Sequence, residues 1–211
     1  ESSGERMIMS DAKDLSIKQG KTFSLVIRWE TEPIVFKPIT DISLAFGAPR
    51  LGVPGHGCPA GWRAAVTRVK SPKQINATND PLKPSDYHVV TVIDANTVEF
   101  NNLAPFDDNG NEWSPYTEGG FLQYNTPVDI TGYSARMKIK DKVGGTVLAS
   151  TEAGDSPLNV LTITLDAANK TITLSIAATA TDDFAWTKGV YDLEMVSPTG
   201  GVTTILSGKV S

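Results

Sequence analysis

Apolar and polar residues alternate in several short runs between residues 130 and 211, and turn residues separate the runs. Successive side chains on a strand point to opposite faces, so a period of two predicts one buried and one solvent-facing surface. Short runs of this kind, separated by turns, are typical of an antiparallel β-sandwich. The apolar positions are Ala135, Met137 and Ile139; Leu161, Ile163 and Leu165; Ile172, Leu174 and Ile176; and Tyr191, Leu193 and Met195.

A further alternating run lies near the N-terminus and predicts another strand of the same sandwich. Its apolar positions are Phe23, Leu25, Ile27 and Trp29. We therefore expect the sandwich to comprise residues 15–30 plus 128–211. Residues 1–14 are small, polar and charged, and they predict a mobile arm that becomes ordered on assembly, with a frayed terminus as the alternative.

The segment from residue 31 to residue 127 has a different composition, because it holds eleven of the thirteen prolines. Proline lacks the backbone donor of a strand ladder, so long central strands are not expected here. Shorter β-like runs occur at residues 63–69 and 88–100. Residues 47–61 are rich in glycine and proline and predict an exposed loop. We interpret residues 31–127 as a small β-rich subdomain inserted after the first strand of the sandwich.

Composition and charge exclude several classes of function. Hydrophobic residues make up 40% of the chain and charged residues 20%, as in ordinary globular domains. The net charge of −5 argues against binding to a phosphate backbone, which requires clustered lysine and arginine. No apolar stretch approaches the length of a membrane span. The single cysteine, Cys58, excludes an internal disulfide.

Several segments carry a resemblance to a known family: residues 129–140 (DITGYSARMKIK), 171–177 (TITLSIA), 189–194 (GVYDLE) and 208–210 (GKV). Together they resemble the immunoglobulin-like domains of tailed bacteriophages, which occur in baseplate, tail-tip, collar and fibre-adaptor proteins. The resemblance covers roughly half of the chain, and it implies an immunoglobulin-like fold and a structural role in the virion. Residues 89–100 (VVTVIDANTVEF) resemble small β-modules of phage tail proteins.

Residues that could carry chemistry are few. His56 and Cys58 are close together and flanked by glycine, unlike the four ligands of a structural zinc site, and His88 is the only other histidine. Residues 107–112 (DDNGNE) space oxygens as calcium loops do, but the bidentate glutamate is missing, so a polar turn is expected. Asp182 and Asp183 are expected to cap the start of a helix. No Gly-x-Ser-x-Gly motif occurs. We expect no catalytic site, no metal and no cofactor.

The aromatic residues of residues 31–127 allow two interpretations. Exposed rings stack on sugars or fill pockets of a partner protein, whereas buried rings would form the core of the subdomain. The core interpretation is slightly favoured. The residues are Trp62, Trp113, Tyr116, Phe121 and Tyr124.

The sequence therefore leads to a hypothesis about function. We expect a non-enzymatic virion protein, made in the cytoplasm of a bacterial host, that acts as an assembly or adaptor component of the tail, baseplate or collar. Its partners would be other phage structural proteins and further copies of itself, in a ring or another multi-copy assembly, with no nucleic acid and no membrane. The alternative is a carbohydrate-binding or adhesion module that recognises a host-surface glycan through the aromatic residues.

Overall fold

The computed structural model describes the backbone of residues 5–7, 11–107 and 109–211, and the side chains of residues 12–107 and 109–211. The protein is nearly all β, with 46% of residues in strands and 7% in helices, and its antiparallel sheets pack together. The predicted all-β sandwich class is confirmed.

The strands before residue 130 are β1 (Glu5–Met7), β2 (Asp11–Ala12), β3 (Phe23–Pro38), β4 (Asp41–Ser43), β5 (Arg50–Gly52), β6 (Arg63–Val69), β7 (His88–Val89), β8 (Thr91–Asp94), β9 (Thr97–Glu99) and β10 (Gly119–Pro127). Those after it are β11 (Ser134–Lys140), β12 (Val147–Ser150), β13 (Leu161–Asp166), β14 (Thr171–Ile176), β15 (Gly189–Val196) and β16 (Val202–Val210). The helical segments are α1 (Ala178–Asp182) and the 3-10 turns Lys73–Ile75, Pro84–Asp86 and Ala153–Asp155.

The chain divides into two compact units. The sandwich unit comprises Glu1–Glu30 and Val128–Ser211, and the inserted unit comprises Thr31–Pro127. Strand β3 runs through the boundary, so its residues up to Glu30 belong to the sandwich unit and those from Thr31 to the inserted unit. Each unit contains its own cluster of buried hydrophobic residues.

The sandwich unit has the strand order of an immunoglobulin-like domain. One sheet runs β13-β14-β3, with β1 pairing in parallel with β3, and the other runs β12-β11-β15-β16-β2. In immunoglobulin nomenclature these are strands D-E-B facing C′-C-F-G-A′. The alternating residues of the sequence pack between the sheets, and Trp29 and Leu193 lie in the same core.

The predicted boundary between the N-terminal arm and the sandwich is wrong, because the residues that follow β2 pair with the sandwich. The backbone N–H groups of Lys13, Leu15 and Ile17 donate to the carbonyls of Ser207, Lys209 and Ser211, each at 2.8 Å. β2 pairs in parallel with β16, so residues 11–14 belong to the sandwich and not to a separate arm. Backbone atoms make these bonds, so the pattern of side chains in the sequence does not predict them. The prediction of a mobile arm is also wrong for residues 5–7, because they form β1 and pair with β3. The predicted arm at residues 1–4 and 8–10 lies outside the described residues.

Glycine at position 208 permits this close approach of the N-terminal segment. A β-carbon there would lie 2.1 Å from the carbonyl oxygen of Lys13, which no side chain tolerates. On the neighbouring strand, the Tyr191 hydroxyl donates to the same carbonyl at 2.7 Å. The Lys209 N–H donates to the Asp14 carboxylate at 2.9 Å. The N-terminal segment is thus fixed by backbone and side chain together.

The inserted unit contains two small sheets around its own core. The second half of β3 continues in the order β3-β10-β6-β7, and a separate sheet runs β4-β5-β9-β8. The expectation of an exposed loop at residues 47–61 is wrong in part, because β5 pairs on both sides, with β4 and with β9. Leu51, Val53, His56 and Cys58 from this segment are buried.

Candidate functional site

Three of the predicted contact aromatics lie in the core of the inserted unit. Trp62 is 0% exposed, Trp113 is 8% exposed and Tyr124 is 2% exposed. The indole N–H of Trp62 donates to the carbonyl of Asn125 at 3.2 Å. Burial raises the pKa of the Tyr124 hydroxyl to about 12, and this hydroxyl donates to the carbonyl of His56. For these three residues the structure agrees with the core interpretation.

The other two aromatics are only partly buried. The Tyr116 hydroxyl donates to the carbonyls of Ile39 and Gly119 at 3.0 and 3.1 Å. The Phe121 ring contacts the exposed Phe36 ring edge to face, with 6.5 Å between centroids. The five aromatics therefore do not form one exposed patch. The sequence did not single out Phe36, because it falls within a long strand whose apolar residues are not strictly alternating.

His56 and Cys58 form a structural turn. The Nδ1 atom of His56 accepts the backbone N–H of Cys58 at 3.0 Å, and its Nε2 lies 2.8 Å from the carbonyl oxygen of Asp94, to which it donates. Both ring nitrogens are therefore occupied, which fixes the neutral Nε2–H tautomer. The turn is also tied to the β8–β9 hairpin, because the Gly55 N–H donates to the Asn96 side chain at 3.0 Å.

His88 lies apart from that turn. Its Nδ1 accepts from the Asn102 side-chain amide at 3.0 Å, and its ring lies 5.5 Å from the ring of Phe100. Desolvation lowers the pKa of His88 below its usual 6.5, and the nearby Asp86 carboxylate partly opposes that shift. The neutral imidazole is thus part of the packing of the inserted unit.

The acidic candidates also have structural roles. The Asp107 carboxylate accepts the backbone N–H groups of Asn109 and Asn111 at 2.9 and 2.8 Å, so it closes its own turn, and these bonds, led by Asn111, lower its pKa. The neighbouring residue 108 lies outside the described residues. Within residues 12–107 and 109–211, no group of three or more His, Cys, Asp or Glu side chains is placed to hold a metal ion.

The expectation for Asp182 and Asp183 is wrong. Asp182 is the last residue of α1 and Asp183 is its C-cap, so the two residues end the helix and do not start it. The helix begins after Ala177, which makes no side-chain cap. The Gln19 side chain donates to the Asp182 carbonyl at 2.9 Å, which holds the end of the helix.

A cavity of about 750 Å³ lies on the outer face of the β12-β11-β15-β16-β2 sheet. Along β11, Arg136, Lys138 and Lys140 lie opposite Glu194, Asp192 and Val190 of β15. Two of the cations are paired: Arg136 Nε lies 2.6 Å from Glu194 Oε2, and Lys138 Nζ lies 2.6 Å from Glu152 and 3.0 Å from Asp155. Hydrogen bonds to these carboxylates raise the pKa of Arg136 and of Lys138. The sequence predicted a polar face on these strands. It did not predict which charged side chains form ion pairs, because the pairs depend on the register of the strands.

The lining of this cavity is suited to polar contact with another molecule. Its hydroxyl-bearing residues are Tyr191, whose hydroxyl donates to Lys13, and Ser207. Neither histidine lies in the lining, so no imidazole base stands beside these hydroxyls. Lys140 and Lys209 flank Val190 across three neighbouring strands. The geometry offers charges of both signs on a rigid sheet.

The fold defines the class of protein: an all-β chain with an immunoglobulin-like sandwich unit and an inserted β-rich unit. In comparisons with known proteins, no family model and no curated protein matches the chain. In the part of the chain that the structure describes, no helix is both long and apolar enough to cross a membrane.

Proposed function

We propose that this protein is a non-enzymatic structural component of a tailed-phage virion, which joins parts of the tail, baseplate or collar through protein–protein contacts. The observation that supports this most directly is the D-E-B and C′-C-F-G-A′ strand order of the sandwich unit. The segments that resemble phage immunoglobulin-like domains lie in this same unit.

Two surfaces of the protein are suited to contacts with a neighbouring protein. The outer face of the β11–β15 sheet presents fixed ion pairs, and Phe36 of the inserted unit is exposed. Rigid strands that carry charged or aromatic side chains are suited to recognising a neighbouring protein. The inserted unit, which interrupts the domain between strands B and C, would supply contacts particular to this protein.

Immunogold labelling tests the proposal. An antibody against the purified chain would be applied to particles released from cells that make it, with particles lacking the chain as the control. We expect gold at one defined position on the tail or collar. A chain that stays in the soluble cell fraction while particles form normally without it would contradict the proposal.

A glycan-binding module is the second candidate, and it depends on the exposed Phe36 ring, which packs on the partly buried Phe121 ring. Exposed rings stack on sugar faces, but three of the five aromatics first considered are buried. A glycan array with the purified chain separates the two candidates. Specific binding that is lost in Phe36→Ala, while the exposed-residue control Val143→Ala retains it, would favour the adhesion role.

A further inference from the structure

Strand β13 forms an open edge of the sandwich unit. It pairs with β14 along six residues, from Leu161 opposite Ile176 to Asp166 opposite Thr171. It is also the terminal strand of its sheet. Among the described residues, no backbone hydrogen bond from another segment reaches its far side. The unpaired N–H and C=O groups of such an edge can accept a further strand.

The other sheet of this unit closes its edges with its own chain. Residues 11–17 run along β16, as described above. At the opposite edge, the Ser150 N–H of β12 donates to the carbonyl of Leu158 at 2.7 Å, and the β11–β12 pairing is interrupted by a register shift at Ile139/Lys140. Covering segments and bulges are devices that prevent edge-to-edge pairing. β13 differs from both of these strands.

β13, with the sequence LTITLD, has little of the usual edge protection, because its one charged residue, Asp166, stands at its end. It has no proline and no lysine, and its register with β14 runs without a shift. Thr162 and Thr164 are exposed on one face, next to Ser175 and Thr173 of β14. On the other face Leu161 is buried, whereas Ile163 and Leu165 are only partly buried against the core.

We infer that β13 pairs in an antiparallel arrangement with β13 of a second copy of this chain, about a two-fold axis through Ile163. This register sets Ile163 against Ile163, Thr162 against Thr164 and Leu161 against Leu165. The threonines then share one face and the apolar residues the other, as strand geometry requires. Asp166 falls opposite Val160 of the partner copy, so like charges do not meet.

The self-complementary sequence is what favours a second copy over a different partner. A slip of one residue would set threonine against the apolar face, so the pattern selects the register as well. A two-fold contact of this kind uses the same surface on both copies. Two six-residue strands form a small interface, and we expect a dimer that depends on concentration. The inference does not require the virion role, because the edge exists in the isolated chain.

Sedimentation velocity on the full chain over a dilution series tests the inference. We expect the wild type to move from monomer to dimer as its concentration rises. Thr164→Lys places a charge on the edge and should abolish the dimer without lowering the melting temperature. The matched control is Thr173→Lys, which lies opposite Thr164 on the interior strand β14 and should keep the dimer. A wild type that stays monomeric throughout, or a dimer that survives Thr164→Lys, would overturn the inference.

Cysteine crosslinking tests the register. Ile163→Cys should give a covalent dimer with a short thiol-reactive crosslinker, because the two substituted residues face each other across the axis. Thr173→Cys, one strand further from the axis on each copy, should not. The native Cys58 is buried and serves as the background in the wild type. Equal crosslinking of both variants would show that another surface makes the contact.

Discussion

In the sandwich unit, β14 and β15 bury every second side chain, whereas β6 and β10 of the inserted unit bury several neighbouring residues in succession. The first pattern is that of strands with one solvent-facing side. The second marks strands covered on both faces. The strands of the two units are therefore buried in different ways.

In the inserted unit, polar side chains supplement the strand ladders. The Asp86 carboxylate accepts the Lys83 N–H at 2.7 Å and the Thr78 N–H at 3.1 Å, and these bonds, led by Lys83, lower its pKa to about 2. The Asn76 side chain both accepts from and donates to the backbone of Val69, at 2.8 and 2.9 Å. Such bonds satisfy loop backbone that has no strand partner. Side-chain packing and side-chain-to-backbone bonds therefore act in both units, and in the inserted unit such bonds hold the loops around Asn76 and Asp86.

The largest change that tests this comparison is removal of the inserted unit. The Val128 N–H donates to the Trp29 carbonyl at 3.0 Å, so Glu30 and Val128 are close enough for a short Gly/Ser linker. We expect the shortened chain to be soluble, β-rich and cooperative in thermal unfolding, measured by circular dichroism. The isolated segment 31–127 is the companion sample. Aggregation of the shortened chain would mean that the sandwich unit does not fold on its own.

The next test removes one core side chain from each unit. Leu193 and Leu122 are both fully buried, and a Leu→Ala change in a core costs about 2–5 kcal/mol of unfolding free energy. We expect Leu193→Ala to weaken hydrogen-exchange protection chiefly in the sandwich unit and Leu122→Ala chiefly in the inserted unit. Val143→Ala, at a residue 90% exposed, is the control. Equal loss of protection in both units from either variant would show a single cooperative structure.

The sequence predicted the sandwich unit better than the inserted unit for a physical reason. Alternation at Met137, Ile139 and Leu193 reports burial directly, because one face of each strand meets the core. The burial of His56 depends instead on a turn closed by Cys58 and Asp94, which are distant from each other in sequence and leave no periodic signal.

The candidate contact surface was less predictable than the fold. The ion pair between Arg136 and Glu194 joins residues 58 positions apart and exists only in one strand register. The prolines of residues 31–127 predicted that long central strands are absent, which is wrong for β10, a strand of 9 residues in the interior of its sheet. The prolines also did not predict which aromatic residues are buried. Local sequence patterns predict single strands and helices, whereas a contact surface consists of residues from several strands.

A smaller effect is expected when a single buried hydrogen bond is removed from the inserted unit. Tyr124→Phe leaves the carbonyl of His56 without the hydroxyl that donates to it, and a buried group left unsatisfied costs about 1–3 kcal/mol. We expect a lower unfolding free energy in urea with an unchanged slope. Tyr133→Phe, in the sandwich unit, is the control, because the Tyr133 ring packs on Trp29 and a Phe ring can do the same. A Tyr124→Phe variant as stable as the wild type would show that the bond contributes little.

The smallest expected effect is a pH dependence that belongs to the inserted unit. Burial lowers the pKa of His88 in the folded protein below the 6.5 expected in the unfolded chain. The unfolded chain therefore binds a proton more readily, so the contribution of His88 is complete above about pH 6.5 and is lost as the pH falls through the folded pKa. Asp86 does not contribute in this range, because its pKa of about 2 keeps it ionised.

Urea unfolding of the wild type and of His88→Gln between pH 7.5 and pH 5 measures this contribution. Glutamine can accept the Asn102 amide but does not titrate, so its unfolding free energy should vary less across the range. The difference between the two profiles isolates His88, because both proteins share every other titratable group. Parallel profiles would show that the folded protein binds the His88 proton as readily as the unfolded chain does. The pH dependence would then have to come from another group of the chain.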